Sequence, residues 1–155
     1  MRKLLLSFLL CVITASTLWS QSYIPGSVAK RIVTAGKVNG TWQYRGKNRD
    51  NILKIWALGQ QQLKVEFVGI YLYKTPSGPM ANDGSGSGIA RIEGDTAIFK
   101  PTEMDLDEGC EIRMRFTRGI LIVEQEGLCG FGLNVGASGT YQRVSGAKPK
   151  FGEFN

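Results

Sequence analysis

The stretch Cys110-Glu111-Ile112-Arg113-Met114-Arg115-Phe116-Thr117-Arg118-Gly119-Ile120-Leu121-Ile122-Val123-Glu124-Gln125 decides the fold class. In its first part Ile112, Met114 and Phe116 point one way, and Glu111, Arg113 and Arg115 the other. A period of two is the side-chain spacing of a strand, here with one apolar and one solvated face. Thr117-Arg118-Gly119 then reverses the chain, and Ile120 to Gln125 returns. Two strands joined by so short a turn run antiparallel.

The same signal recurs upstream. Trp42 and Tyr44 share one face of a short strand. From Asn51 to Leu58, Ile52 and Trp56 lie on one face and Leu53 and Ile55 on the other. From Gln62 to Tyr73, Leu63, Val65 and Phe67 alternate with Lys64 and Glu66, and Gly69 predicts a bulge or bend. Ile89 to Ile92 and Thr96 to Phe99 flank Glu93-Gly94-Asp95, a tight hairpin turn. Thr75 to Ser87 is rich in glycine, serine and proline and reads as a long loop. Its Gly84-Ser85-Gly86-Ser87-Gly88 run reads as a flexible connection, because a phosphate-binding loop would open a helix and carry a lysine. A last strand covers Ser138 to Val144. About eight short strands joined by hairpins predict an all-β fold. The expected form is a small antiparallel meander closed as an eight-stranded barrel; a β-sandwich is the alternative, since counting strands does not separate the two.

At the N-terminus, Arg2 and Lys3 precede an apolar run from Leu4 to Ile13, and small residues follow. That order predicts a secretory signal peptide over residues 1–20. The run is too short to span a bilayer, and no transmembrane segment is expected after its removal. An N-terminal segment, 21–38, with Val28 to Val33 as a helical turn or strand, then leads into a barrel domain, 39–146, and a tail, 147–155. The expected location is secreted or periplasmic. Without Arg2 and Lys3 the formal charge falls from +6 to +4. So modest a charge does not indicate nucleic acid as a partner, and the basic residues around Trp42 and Tyr44 read as a solvated face.

Cys110 and Cys129 remain after signal removal. An even count in an oxidising compartment predicts a disulfide rather than free thiols, worth about 3 kcal/mol. The chain has no histidine, which removes the commonest zinc ligand and the usual general base. Ser-His-Asp and Cys-His catalysis are therefore impossible, and no catalytic residue, metal site or cofactor is expected. The acidic run 103–108, with Glu103, Asp105, Asp107 and Glu108, lacks the spacing of a helix-loop-helix calcium site and reads as a solvated loop.

Two resemblances add to this reading. Gly40-Thr41-Trp42 is similar to the Gly-x-Trp that opens lipocalins, in which the tryptophan plugs the barrel base. Further on, Cys110 opens an alternating strand, followed by Leu121 to Gln125, Cys129-Gly130-Phe131-Gly132, Asn134-Val135 and Ser138-Gly139-Thr140-Tyr141. This pattern, over residues 110–144, resembles a module of small bacterial envelope and secreted proteins, some of them similar to periplasmic lysozyme inhibitors. In membrane-bound C-type inhibitors a Ser-Gly-x-x-Tyr loop enters the lysozyme cleft; here one residue fewer separates the glycine and the tyrosine. The resemblance implies a non-catalytic binding module that engages an envelope or extracellular protein such as a lysozyme through Ser138, Gly139 and Tyr141. The alternative is a lipocalin-like carrier with a small molecule in a cavity lined by Trp42, Trp56, Phe67 and Phe99.

Overall fold

The computed structural model describes residues 33–101 and 109–152. A single helical turn, α1 (Ala35–Val38), leads into β1 (Gly40–Arg45), β2 (Arg49–Gly59), β3 (Gln62–Thr75) and β4 (Gly78–Glu93). β5 (Thr96–Phe99), β6 (Glu111–Thr117), β7 (Ile120–Glu126) and β8 (Gly139–Ser145) complete the chain. Each strand pairs antiparallel with the next, and β1 pairs with β8, Trp42 opposite Arg143. The sheet is thus a closed eight-stranded barrel, and that last pairing excludes a two-sheet sandwich. Closure gives every strand a neighbour on both sides over part of its length, which shortens the edges that invite pairing with other chains.

The period of two decides which residues fill it. Leu53 and Ile55 of β2, Leu63, Val65 and Phe67 of β3, Phe99 of β5, Ile112 and Met114 of β6, and Leu121 of β7 are buried inside. The hairpin from Cys110 to Gln125 forms as its alternation predicts, with Met114 opposite Val123 and Phe116 opposite Leu121. β2 is the strand whose sidedness is ambiguous in sequence, since both its faces are apolar. The structure turns Leu53 and Ile55 inward and leaves Trp56 outside, under the C-terminal tail, where the Lys148 ammonium sits 5.7 Å from its ring centre. The tail continues across the outer face of β3. Lys64 lies over the ring of Phe151, and the Gly152 N–H donates to Glu66, whose carboxylate also holds Lys54 at 2.7 Å.

Two expectations for the middle of the chain are overturned. Thr75 to Ser87 is not a long loop. All of it except the turn at Pro76 and Ser77 is strand, pairing with β3 from Thr75 opposite Gly78 through to Gln62 opposite Arg91. Gly69 makes no bulge either, because it keeps register with Asn51 on one side and Gly84 on the other. Both glycine signals have a packing cause, given below.

One end of the barrel is shut by α1. Val38 is buried, and its carbonyl accepts a hydrogen bond of 3.0 Å from Trp42 Nε1. Trp42 meets Phe116 edge to face at 5.9 Å, a favoured geometry for aromatic pairs. Arg143 spans this end: its guanidinium lies 5.9 Å from the Trp42 ring and donates to the carbonyls of Gly36 and Asn39. Trp42 therefore closes the barrel base, the place that Gly40-Thr41-Trp42 implies. Residues 1–20, and most of the segment before α1, lie outside the described residues, as does the acidic run 103–108.

Candidate functional site

The opposite end carries the β1–β2 and β3–β4 turns, the end of β5, the start of β6, and the long link from β7 to β8. That link, residues 127–137, does not hang free. Cys129 is bonded to Cys110 at the start of β6, so the expected disulfide is present. Phe131 turns inward and is buried against Phe67 of β3, ring centres 4.6 Å apart. It can reach that depth because the wall positions beside Phe67 are glycines without side chains. Gly69 stands opposite Gly84, and Gly86 stands opposite Phe67. A Cβ added to Gly84 would sit 1.6 Å from the Phe131 carbonyl oxygen, and one on Gly69 would meet Phe67 and Val135 at under 3 Å. The Gly-Ser-Gly-Ser-Gly run is a strand whose inward positions are emptied to seat this link.

Hydrogen bonds fix the link to four strands. From β2, Asn51 Nδ2 donates to the Gly136 carbonyl at 2.7 Å and to Tyr141 Oη at 3.2 Å. From β4, Asn82 Nδ2 donates to the Leu133 carbonyl at 2.9 Å. From β7, Gln125 Oε1 accepts from the Ala137 N–H at 2.8 Å, while the Gln125 N–H donates to Ser138 Oγ. From β8, Tyr141 Oη donates to the Ala137 carbonyl at 2.6 Å. A link held by a disulfide, a buried ring and these bonds has little conformational freedom left to lose on binding.

This arrangement corrects the expected contact loop. Ser138 is exposed at the start of β8, but Tyr141 lies inside the barrel with 0 % of its surface accessible. The cause is again parity. Gly139 and Tyr141 share the inward face, where the Tyr141 ring packs beside Tyr44. Ser138, Gly139 and Tyr141 therefore do not form one presented surface, and Tyr141 acts as an internal strut. Burial pushes its hydroxyl pKa well above the ordinary tyrosine value, against the smaller lowering effect of the Asn51 hydrogen bond. An unfolded tyrosine releases its proton near pH 10, whereas the folded one holds it. The folded state then binds more protons, so stability is full below about pH 10 and falls above it, at up to about 1.4 kcal/mol per pH unit for this group. Urea titrations between pH 8 and 11 should show that alkaline loss in the wild type and a shallower one in Tyr141→Phe.

The expected cavity is occupied by its own lining. Trp42, Phe67 and Phe99 face the interior, each with 0–1 % of its surface accessible, so their own side chains fill the barrel between them. Trp56 is on the outside, as described. The exposed features of this end lie elsewhere, and the sequence reading missed them. Leu133 and Leu128 leave 75 % and 66 % of their surfaces open. Beside them β3 and β4 run on past the end of β2, at Arg49 opposite Tyr71, as a two-stranded arm. Tyr71, Tyr73, Met80 and Asn82 stand on the arm's inward side, the two tyrosine rings stacked at 6.3 Å. Through Asn82 the carbonyl of Leu133 is tied to that same side. Leu133, Leu128 and Met80 are thus the exposed apolar side chains of the link and of the arm's inward side, and the link and arm together are called the rim. Only the period-two spacing of Gly84, Gly86 and Gly88 could have revealed in sequence that a strand here seats something.

Since the disulfide anchors the rim, Cys110→Ala/Cys129→Ala should lower stability by about 3 kcal/mol in urea unfolding. A change under about 1 kcal/mol would mean that packing alone holds the link.

No protein-family model matches the chain, and no curated protein or solved structure is similar enough to it to match.

Proposed function

We propose that the chain is a non-catalytic, exported binding module that contacts another protein of the envelope or extracellular space through the rim at residues 127–137 and the β3–β4 arm. The observation that carries this reading is Leu133, a leucine three-quarters exposed on a link that is otherwise locked in place. Burying a leucine fully is worth about 1.5–3 kcal/mol. Displaying one on a preorganised backbone lowers the entropic cost of binding through it. A packed interior supports contact at the surface rather than inside the barrel, and the disulfide fits an extracellular or periplasmic setting.

A photo-crosslinking residue at position 133 should capture a protein adduct in the exporting cell, and the same residue at Arg91, outward on β4, should not. Equal adducts from both positions, or none from either, would refute the assigned surface. The resemblance to lysozyme inhibitors supplies one partner to test directly. If a lysozyme is that partner, the protein slows clearing of a cell suspension, and Leu133→Asp abolishes the effect while Ser138→Ala leaves it intact. Unchanged clearing at large molar excess removes lysozymes from consideration.

A further inference from the structure

At the α1 end a cavity of about 350 Å³ opens beside the Trp42 plug. Its walls are Trp42, Phe116 and Ile120, and its cations are Lys37 of α1, Arg118 of the β6–β7 turn and Arg143 of β8. Among the described residues no aspartate or glutamate lines it. Arg143 spends its donors on the carbonyls of Gly36 and Asn39, which neutralises none of its charge. No ion pair joins Lys37 or Arg118 to an acid among the described residues. Arg118 sits in a turn with a positive φ of 45°, and Gly119 follows at 85°, so the backbone itself sets where this arginine departs from the barrel.

Three like charges around one concavity repel one another, and a pocket with low-dielectric walls focuses their field into the space between them. An anion entering it relieves that repulsion, and the aromatic and aliphatic walls favour an apolar body behind the charge. The volume lies at the lower end of the range for small-molecule sites, roughly 300–1,000 Å³. We propose that this cavity is a binding site for a small amphipathic anion, a carboxylate or similar head group on a short apolar chain or ring. Lys37, Arg118 and Arg143 take the head, and Val33 and Ile120, the half-exposed apolar residues of the lining, take the body. The site lies at the barrel end away from Leu133, so it stands or falls independently of the protein-binding rim.

Octanoate and octan-1-ol serve as matched probes, differing in charge at constant chain length. By calorimetry, octanoate should bind the purified protein with a stoichiometry of one and roughly tenfold more tightly than the alcohol, weakening as salt is added. Lys37→Gln/Arg118→Asn should remove most of the preference for octanoate over the alcohol, with the thermal midpoint unchanged, since neither side chain is buried and asparagine suits a positive φ. Amide shifts induced by octanoate should centre on Lys37 and on Thr117 to Ile120. Four results would overturn the proposal: no saturable octanoate binding, equal affinity for the alcohol, unaltered affinity in the double variant, or shifts centred on Leu133. If the double variant loses its thermal midpoint, the alcohol comparison and the shift map of the wild type decide.

Discussion

Gly84→Val should be the most damaging single substitution in the barrel wall, costing more than about 4 kcal/mol, a magnitude reserved for a few structural mechanisms. The atoms in the way are backbone. The new Cβ would lie 1.6 Å from the Phe131 oxygen, 2.4 Å from its carbonyl carbon and 2.7 Å from its Cα. No rotamer change relieves such a contact, so the link must lift off the wall, and the burial of Phe131 against Phe67 goes with it. Valine is otherwise well suited to a strand. The neighbouring Ser85→Val, on the outer face of β4, should therefore change stability by no more than about 0.5 kcal/mol. Urea unfolding of the two variants side by side isolates the seat from the strand. If Gly84→Val retained wild-type stability, the close approach of link and wall would be wrong.

Phe131→Ala should cost about 4 kcal/mol, as expected for deleting a buried aromatic ring whose surroundings cannot collapse into the space. Here the facing surface is formed by Gly84 and Gly86, which have no side chains to move inward, and the disulfide at Cys129 limits how far the link can settle. Leu133→Ala on the same link should leave stability within about 0.5 kcal/mol, because that side chain is open to solvent. The pair thus separates the residue that holds the rim from the residue offered by it. Since Gly84→Val and Phe131→Ala break one and the same contact, the double variant should cost clearly less than the sum of the two. Full additivity would show that they act through different parts of the structure.

Much of the fold was legible from side-chain parity alone. The alternation of Ile112, Met114 and Phe116 against Glu111, Arg113 and Arg115 marks both the strand and its buried face, because charged residues on one side leave no choice. Parity failed where both faces of a strand are apolar, as in β2. There Trp56 and Leu53 are equally good core residues until the tail covers one of them. It failed again at Tyr141: a tyrosine after Ser-Gly reads as a presented loop, but the start of β8 directs it inward, onto Asn51 and Ala137.

The Cys110 to Gln125 hairpin and the cysteine pair were determined by the sequence itself, because local period and residue chemistry suffice for each, whereas the place of Trp42 was only what a resemblance implied. Barrel closure needed the tertiary structure, since it rests on β1 meeting β8 across nearly the whole chain. So did the meaning of Gly69, Gly84 and Gly86. A glycine in sequence signals a missing side chain, and only the fold shows that Phe131 fills the space it leaves. The rim and the cationic pocket were likewise decided there. Each gathers residues from distant strands, and local pattern carries no information about which distant surfaces meet.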